Sequence, residues 1–139
     1  MIKRVSTLFF LYLVIIGCNN SGGEAIDEKS YTESRESIEQ QERKKPLRFL
    51  KVEGDYKKNI VGQTVVKGEI TNIATIADYT NVRVKMLFYN KEKKVFENHE
   101  KVVEGVVNAG ETVKFKAKFR TQQKTDSVSL SIMNASVAL

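Results

Sequence analysis

The stretch Val82-Arg83-Val84-Lys85-Met86-Leu87-Phe88-Tyr89 alternates with a period of two: Val82, Val84, Met86 and Phe88 fall on one side, and Arg83 and Lys85 on the other. Successive side chains of an extended chain point to opposite faces, so this is a strand that buries one face and shows the other to water. The same pattern returns downstream. Val113, Phe115, Ala117 and Phe119 interleave with Lys114, Lys116, Lys118 and Arg120, and Val128, Leu130 and Ile132 interleave with Ser129 and Ser131. Upstream, strands are expected at Phe49–Tyr56 and Thr64–Thr71. Another lies within Val95–Val106, where Val102-Val103 and Val106-Val107 blur the alternation and suggest a bulge at Gly105. Turn residues separate these runs: Lys58-Asn59 before Gly62, Ala74 to Asp78, Asn90 to Lys94, and Asn108-Ala109-Gly110-Glu111. Six to seven short strands with no long helical pattern, in the region 46–139, predict an all-β fold, an immunoglobulin-like antiparallel β-sandwich. A small barrel is the alternative. About fifteen inward apolar side chains, at roughly 1.5–3 kcal/mol each, suffice for such a domain without disulfides.

Ahead of this domain the composition changes twice. The chain opens with Lys3 and Arg4 and then an apolar run from Thr7 to Ile16, which is too short to cross a bilayer, for which about 20 residues are needed. Residues 1–17 therefore read as a signal peptide. It ends Ile15-Ile16-Gly17-Cys18, an aliphatic residue, a small residue and then cysteine. That ending resembles the lipobox of bacterial lipoproteins. The resemblance implies cleavage between Gly17 and Cys18 and lipid attachment at Cys18, where two or more acyl chains give a stable anchor and a single one does not. The plain alternative is an ordinary secretory signal. On the lipoprotein reading Cys18, the only cysteine of 139 residues, is an anchor and not a nucleophile, and no disulfide is expected. Loss of residues 1–17 leaves 21 bases against 17 acids.

From Asn19 to Lys45 the large apolar residues are Ile26, Tyr31 and Ile38, too few to fold alone. Residues 18–45 therefore read as the lipidated Cys and a flexible, disordered charged tether, with a frayed helix within Glu28–Lys45 helped by pairs such as Glu39 with Arg43. Asn19 stands where an inner-membrane retention signal of the enteric type would have Asp. This favours the outer membrane, on either its periplasmic or its surface face, as the site of a lipid-anchored envelope protein.

Within the domain, Val66-Lys67-Gly68-Glu69-Ile70-Thr71-Asn72, Met86-Leu87-Phe88-Tyr89-Asn90 and Asn108-Ala109-Gly110-Glu111-Thr112 together resemble the FxLYD domain of bacterial envelope proteins. Met86 stands for its Phe, Phe88 for its Leu, Asn90 for its Asp and Ala109 for its Pro. Tyr89, Gly110 and Glu111 match it directly. The resemblance implies a two-sheet sandwich used as an extracytoplasmic accessory or adhesive module, with no agreed catalytic residues.

Chemistry is short of parts. The single His99 has only Glu97 on its own strand face, so neither a closed metal site nor a catalytic dyad is expected, and an exposed strand histidine is the simpler reading. No Gly-rich phosphate loop or nucleophile elbow appears. No catalytic residue, cofactor or metal is expected. The charge is more informative. Residues 46–139 carry 16 bases and 10 acids, and Lys114, Lys116, Lys118 and Arg120 share one outward face. Such a row invites a polyanion: an acidic glycan, a phosphorylated headgroup or the acidic face of an envelope protein. Nucleic acid is disfavoured by the absence of stacking aromatics. The competing reading is that Glu69, Glu53 or Asp55 neutralises the row from neighbouring strands. A second candidate surface is the turn Asn90–Lys94. The expectation is a membrane-anchored binding module without catalysis, its rival a structural assembly subunit of the envelope; oligomeric state is left open.

Overall fold

The computed structural model describes residues 37–139, so the signal, Gly17, Cys18 and most of the tether lie outside the described residues. A helix, α1, covers 37–44, and one 3-10 turn follows at Pro46–Arg48. Six strands complete the chain: β1 Leu50–Lys58, β2 Thr64–Asn72, β3 Tyr79–Tyr89, β4 Val95–Val107, β5 Thr112–Phe119 and β6 Ser127–Val137. They form two three-stranded antiparallel sheets, β1-β2-β5 and β4-β3-β6, packed as a sandwich and not closed into a barrel.

The core follows from the alternation. Val66, Ile70, Tyr79, Val82, Val84, Met86, Phe88 and Val107 are essentially inaccessible, and most belong to the two central strands, β2 and β3. Each contributes roughly 1.5–3 kcal/mol on burial. Two glycines close the packing where a side chain has no room. Gly54 and Gly68 are direct partners across β1 and β2, and Gly68 in turn faces Phe115 on β5. A Cβ at Gly68 would run into the Phe115 ring, and one at Gly54 into the Lys67 carbonyl and the Leu130 side chain. The expected bulge is present: Thr80 faces Val106 and Val82 faces Val103, so Glu104 and Gly105 together oppose Asn81. Gly105 takes φ +96°, a backbone conformation that glycine adopts freely, and its carbonyl accepts from the Thr80 hydroxyl at 2.9 Å.

Connections alternate between two poles. One pole holds 73–78, 108–111 and residue 138: Ala109 N donates to Asp78 Oδ1 at 2.7 Å, and Ala138 N to the Asp78 carbonyl at 2.9 Å. The other holds 59–63, 90–94 and 120–126, where Asp126 N donates to the Tyr89 carbonyl and Thr64 shares its hydroxyl contacts with Thr121 and Thr125.

The folded unit reaches further back than Pro46. α1 carries the exposed Glu39–Arg43 pair at 2.9 Å and also Glu42, which is only 1% exposed. One carboxylate oxygen of Glu42 accepts from Thr75 N at 2.8 Å and from the Thr75 hydroxyl at 2.9 Å. The other accepts from Ile76 N and Ala77 N, both at 2.9 Å. Burial pushes this carboxyl up, but the donors from Thr75, Ala77 and Ile76 outweigh it and hold the group below its ordinary value. An isolated eight-residue helix is unstable in water, so this contact, and not propensity, holds residues 37–44 in place.

Candidate functional site

The outward face of β1-β2-β5 is laid out by register. Glu53, Glu69 and Lys114 form one row across the three strands, Asp55, Lys67 and Lys116 the next, and Lys57, Val65 and Lys118 the third. Rows on one face are about 6.6–7 Å apart along a strand, and neighbours across strands are about 4.8 Å apart. The inward-turned Gly54 and Gly68 leave bare backbone between the first two rows. An open trough of about 740 Å³ results, floored by Gly54, Gly68 and the Phe115 backbone and walled by Glu53, Glu69 and Lys114 on one side and Asp55, Lys67 and Lys116 on the other.

The sequence-predicted row divides in two. Lys114 is paired, its Nζ lying 3.2 Å from Glu69 Oε1, an exposed contact that contributes at most about 1 kcal/mol. Lys116 faces Lys67 directly, an arrangement of like charges that destabilises a sheet unless something anionic relieves it. Lys118 faces Val65, which is 3% exposed although it points outward. Its register partners are Lys57 and Lys118, side chains long enough to lay aliphatic stems over a valine while their ammonium groups stay in water. Arg120 follows the last residue of β5 and is exposed. Among the described residues no carboxylate lies within ion-pair distance of Lys57, Lys67, Lys116, Lys118 or Arg120. A close ion pair to a neighbouring strand therefore forms at Lys114 alone of the row, while Asp55 stands opposite Lys67 in register without reaching ion-pair distance. The unpaired cations run toward the pole that also carries Lys58, Lys91, Lys93, Lys94 and Lys124.

The turn at 90–94 is built by Asn90, whose Oδ1 accepts from Glu92 N and Lys94 N, and by Lys93 at φ +61°. Lys93 Nζ lies 2.7 Å from Asp126 Oδ2 and staples the turn to the start of β6. The hydrogen bond and the charge of each raise the Lys93 ammonium and lower the Asp126 carboxyl. This fixes the turn, and Lys94 in turn pairs with Glu92 at 3.3 Å, so among the described residues Lys91 is the cation of the turn outside an ion pair.

His99 departs from the expectation of an exposed strand histidine. Its ring stacks on Phe119 at 4.3 Å and meets the edge of Phe88 at 5.5 Å, while Nε2 lies 2.7 Å from Glu97 Oε1. Glu97 Oε2 accepts from Gln122 N at 3.2 Å. β4 and β5 belong to different sheets, so this cluster closes one side of the sandwich. The sequence shows Phe119 as inward, but that β5 is an edge strand whose last aromatic is covered from β4 follows only from the topology. Among the described residues no group of three or more His, Cys, Asp or Glu side chains is placed to hold a metal ion.

The residues that carry the family resemblance do structural work. Asn72 is buried, donates to the Ala77 and Val107 carbonyls at 2.8 and 3.0 Å and accepts from Ala74 N at 2.9 Å, so it ties the end of β2 to the following loop and to β4. Gly68 makes room for Phe115, and Gly110 turns at φ +78° before β5. No protein-family model, no curated protein and no solved structure matches this chain.

Proposed function

We propose that this protein is a lipid-anchored extracytoplasmic lipoprotein whose β-sandwich is a non-catalytic binding module for an acidic ligand, an anionic glycan or the acidic surface of an envelope protein. The observation that carries the reading is the set of cations on β2 and β5 without a close ion pair, above all Lys67 facing Lys116 with Asp55 on the far side of Lys67, and with Lys57, Lys118 and Arg120 continuing the field toward one pole. A bound anion placed between Lys67 and Lys116 removes a repulsion that the folded chain otherwise tolerates, and the trough beside them gives an extended ligand a bed. The lipobox-like ending at Gly17-Cys18 supports anchoring outside the cytoplasm. The resemblance to the FxLYD domain is part of this reading and is supported by Tyr89 closing β3 and the Asn108–Glu111 turn leading into β5.

The test uses the chain from residue 18 onward with Cys18→Ser, presented to sulfated and uronic polysaccharides and to anionic vesicles at low and physiological salt. Binding that weakens steeply with salt, and falls at least tenfold when Lys67, Lys116, Lys118 and Arg120 are changed to Ser, is the expected result. Equal binding by the two proteins, both folded by circular dichroism, refutes the reading.

A further inference from the structure

The turn between β1 and β2 is built by polar residues and tipped by apolar ones. Asn59 Oδ1 accepts from Val61 N at 3.2 Å and from Gln63 N at 2.8 Å, Asn59 Nδ2 donates to Gln63 Oε1 at 2.9 Å, and Gly62 takes φ +77°. These contacts fix the backbone and ask nothing of the side chains at 60 and 61. Those positions nevertheless hold Ile60, which is fully exposed, and Val61, which is 68% exposed. Apolar residues scattered singly over a surface are ordinary, but two adjacent ones at the apex of a turn held this firmly form a protruding apolar point. The base of the turn is tied down as well, since the buried Thr64 hydroxyl meets those of Thr121 and Thr125, each at 3.2 Å.

The surroundings of that point are basic. Residues 57–63, 90–94 and 120–126 together carry seven bases against two acids, Glu92 and Asp126. Both acids are already engaged, Glu92 by Lys94 and Asp126 by Lys93. Among the described residues Lys58, Lys91, Arg120 and Lys124 lie outside any ion pair, and all four are exposed. They come from the end of β1, the 90–94 turn and the connection between β5 and β6, so the charge covers a whole end of the sandwich instead of following one strand.

We propose that this pole is a membrane-docking tip, at which Ile60 and Val61 enter the interface of a bilayer containing anionic lipid while the surrounding cations hold its headgroups. The two features divide the work. Cations draw the domain to a negatively charged surface from a distance and alone give loose, salt-sensitive attachment. Apolar side chains act only on contact, by entering the boundary between headgroups and acyl chains. The spread of the charge selects a bilayer over a protein. A protein partner would need a pocket for Ile60 and Val61 and, around it, an acid set opposite each cation on three separate segments. Anionic lipids diffuse in their plane and gather beneath the cations wherever these stand. The tip lies apart from the trough on β1-β2-β5, and the inference holds whether or not the trough takes a glycan. α1 is seated on 73–78, and β1 begins at that same pole, so the tip points away from the end at which the N-terminal chain joins the domain.

The experiment uses the chain from residue 18 onward with Cys18→Ser, which holds every described residue and carries no lipid of its own. It is mixed with vesicles of phosphatidylcholine alone and of phosphatidylcholine with phosphatidylglycerol, and binding is read by co-sedimentation. The parent is expected to bind the anionic vesicles and not the neutral ones. Ile60→Ser with Val61→Ser is expected to bind them about tenfold or more below the parent, and Ile60→Leu with Val61→Leu to bind like the parent. The chain contains no tryptophan, so Ile60→Trp installs a single reporter at the apex. Its emission should shift to the blue on anionic vesicles and be quenched by brominated acyl chains. Val106→Trp, at an exposed position near the opposite pole, should show neither effect. Thermal melts check that each variant folds. A parent that leaves both kinds of vesicle unbound overturns the proposal and returns the tip to a protein partner. Binding that survives the serine changes, or an unshifted Ile60→Trp spectrum, overturns it in favour of attachment by charge alone. Binding to the polysaccharides named above should be equal in the parent and the serine variant, which tests the tip apart from the trough, and a matching loss there overturns the assignment of the tip to lipid.

Discussion

The hydroxyl of Tyr79 donates to the main-chain carbonyl of Glu42 at 2.9 Å, joining the first residue of β3 to the last turn of α1. The same glutamate sends its carboxylate into the loop that precedes β3 and satisfies three consecutive backbone N–H groups, those of Thr75, Ile76 and Ala77. One residue thus serves as acceptor in both its main chain and its side chain, and the helix is seated by it.

Glu42→Gln turns one acceptor oxygen into a donor facing N–H donors. It is expected to destabilise the protein by about 2–4 kcal/mol, the range for breaking a buried, charge-assisted set of hydrogen bonds. Because the folded carboxyl sits below its ordinary value of 4.5, its contribution is full above that pH and is lost as pH falls through the lower, folded value. Denaturant titrations across the acid range should show that decline in the parent and a shallower one in the variant. Equal acid limbs would mean that Glu42 is not the group responsible.

Tyr79 gives the alkaline counterpart. Burial, reinforced by the Glu42 charge, pushes its phenol from 10.0 up to about 12. Between those values the unfolded chain releases the proton and the folded chain keeps it, so stability falls as pH rises from 10 to about 12. Tyr79→Phe should flatten this limb while costing about 1 kcal/mol at neutral pH for the lost hydrogen bond. An unchanged slope in stability above pH 10 refutes the assignment.

Gly54→Ala should cost about 2–3 kcal/mol, because the new Cβ meets backbone atoms of both Lys67 and Gly68 as well as Leu130, and backbone moves less readily than a side-chain tip. Gly68→Ala should cost a similar amount but be partly rescued by Phe115→Leu, since the obstacle there is one ring. The outward neighbour Glu53→Ser should stay within about 0.5 kcal/mol. Thermal melts of the four proteins decide whether the cost follows the inward positions or merely the strand.

Glu69→Gln releases Lys114 from the carboxylate that pairs with it among the described residues and removes a negative charge from the trough wall. If the cation field is what an acidic ligand reads, affinity should rise roughly two- to fivefold at low salt, with the gain shrinking at high salt as screening sets in. A drop in affinity would instead show that Glu69 itself contacts the ligand.

The sandwich was legible because its strands are half-buried and alternate. Val82 to Phe88 and Val113 to Phe119 declare their inner faces residue by residue, and the paired valines around Gly105 mark the bulge. What remained hidden involved contacts remote in sequence. Glu42 sits in a charged, apolar-poor tract that reads as a spacer, and its partners are 33 to 35 residues away. His99 reads as a surface residue until β5, a strand of the other sheet, places Phe119 beneath its ring. In the basic row, spacing alone gave four equivalent cations. Only the cross-strand register separates Lys114, answered by Glu69, from Lys116, set against Lys67.

The seat of Glu42 also decides how the molecule bears tension. Past α1 the chain runs into β1, an edge strand held on one side by β2 alone, and a strand so placed unzips bond by bond when its end is drawn away. With Glu42 fastened to Thr75–Ala77 and to Tyr79, a pull arriving at residue 37 is passed first to β3, which is gripped on both sides by β4 and β6. A force along that strand must shear two ladders at once, so the glutamate acts as a strain relief that shields the weak edge from whatever tugs on the N-terminal chain.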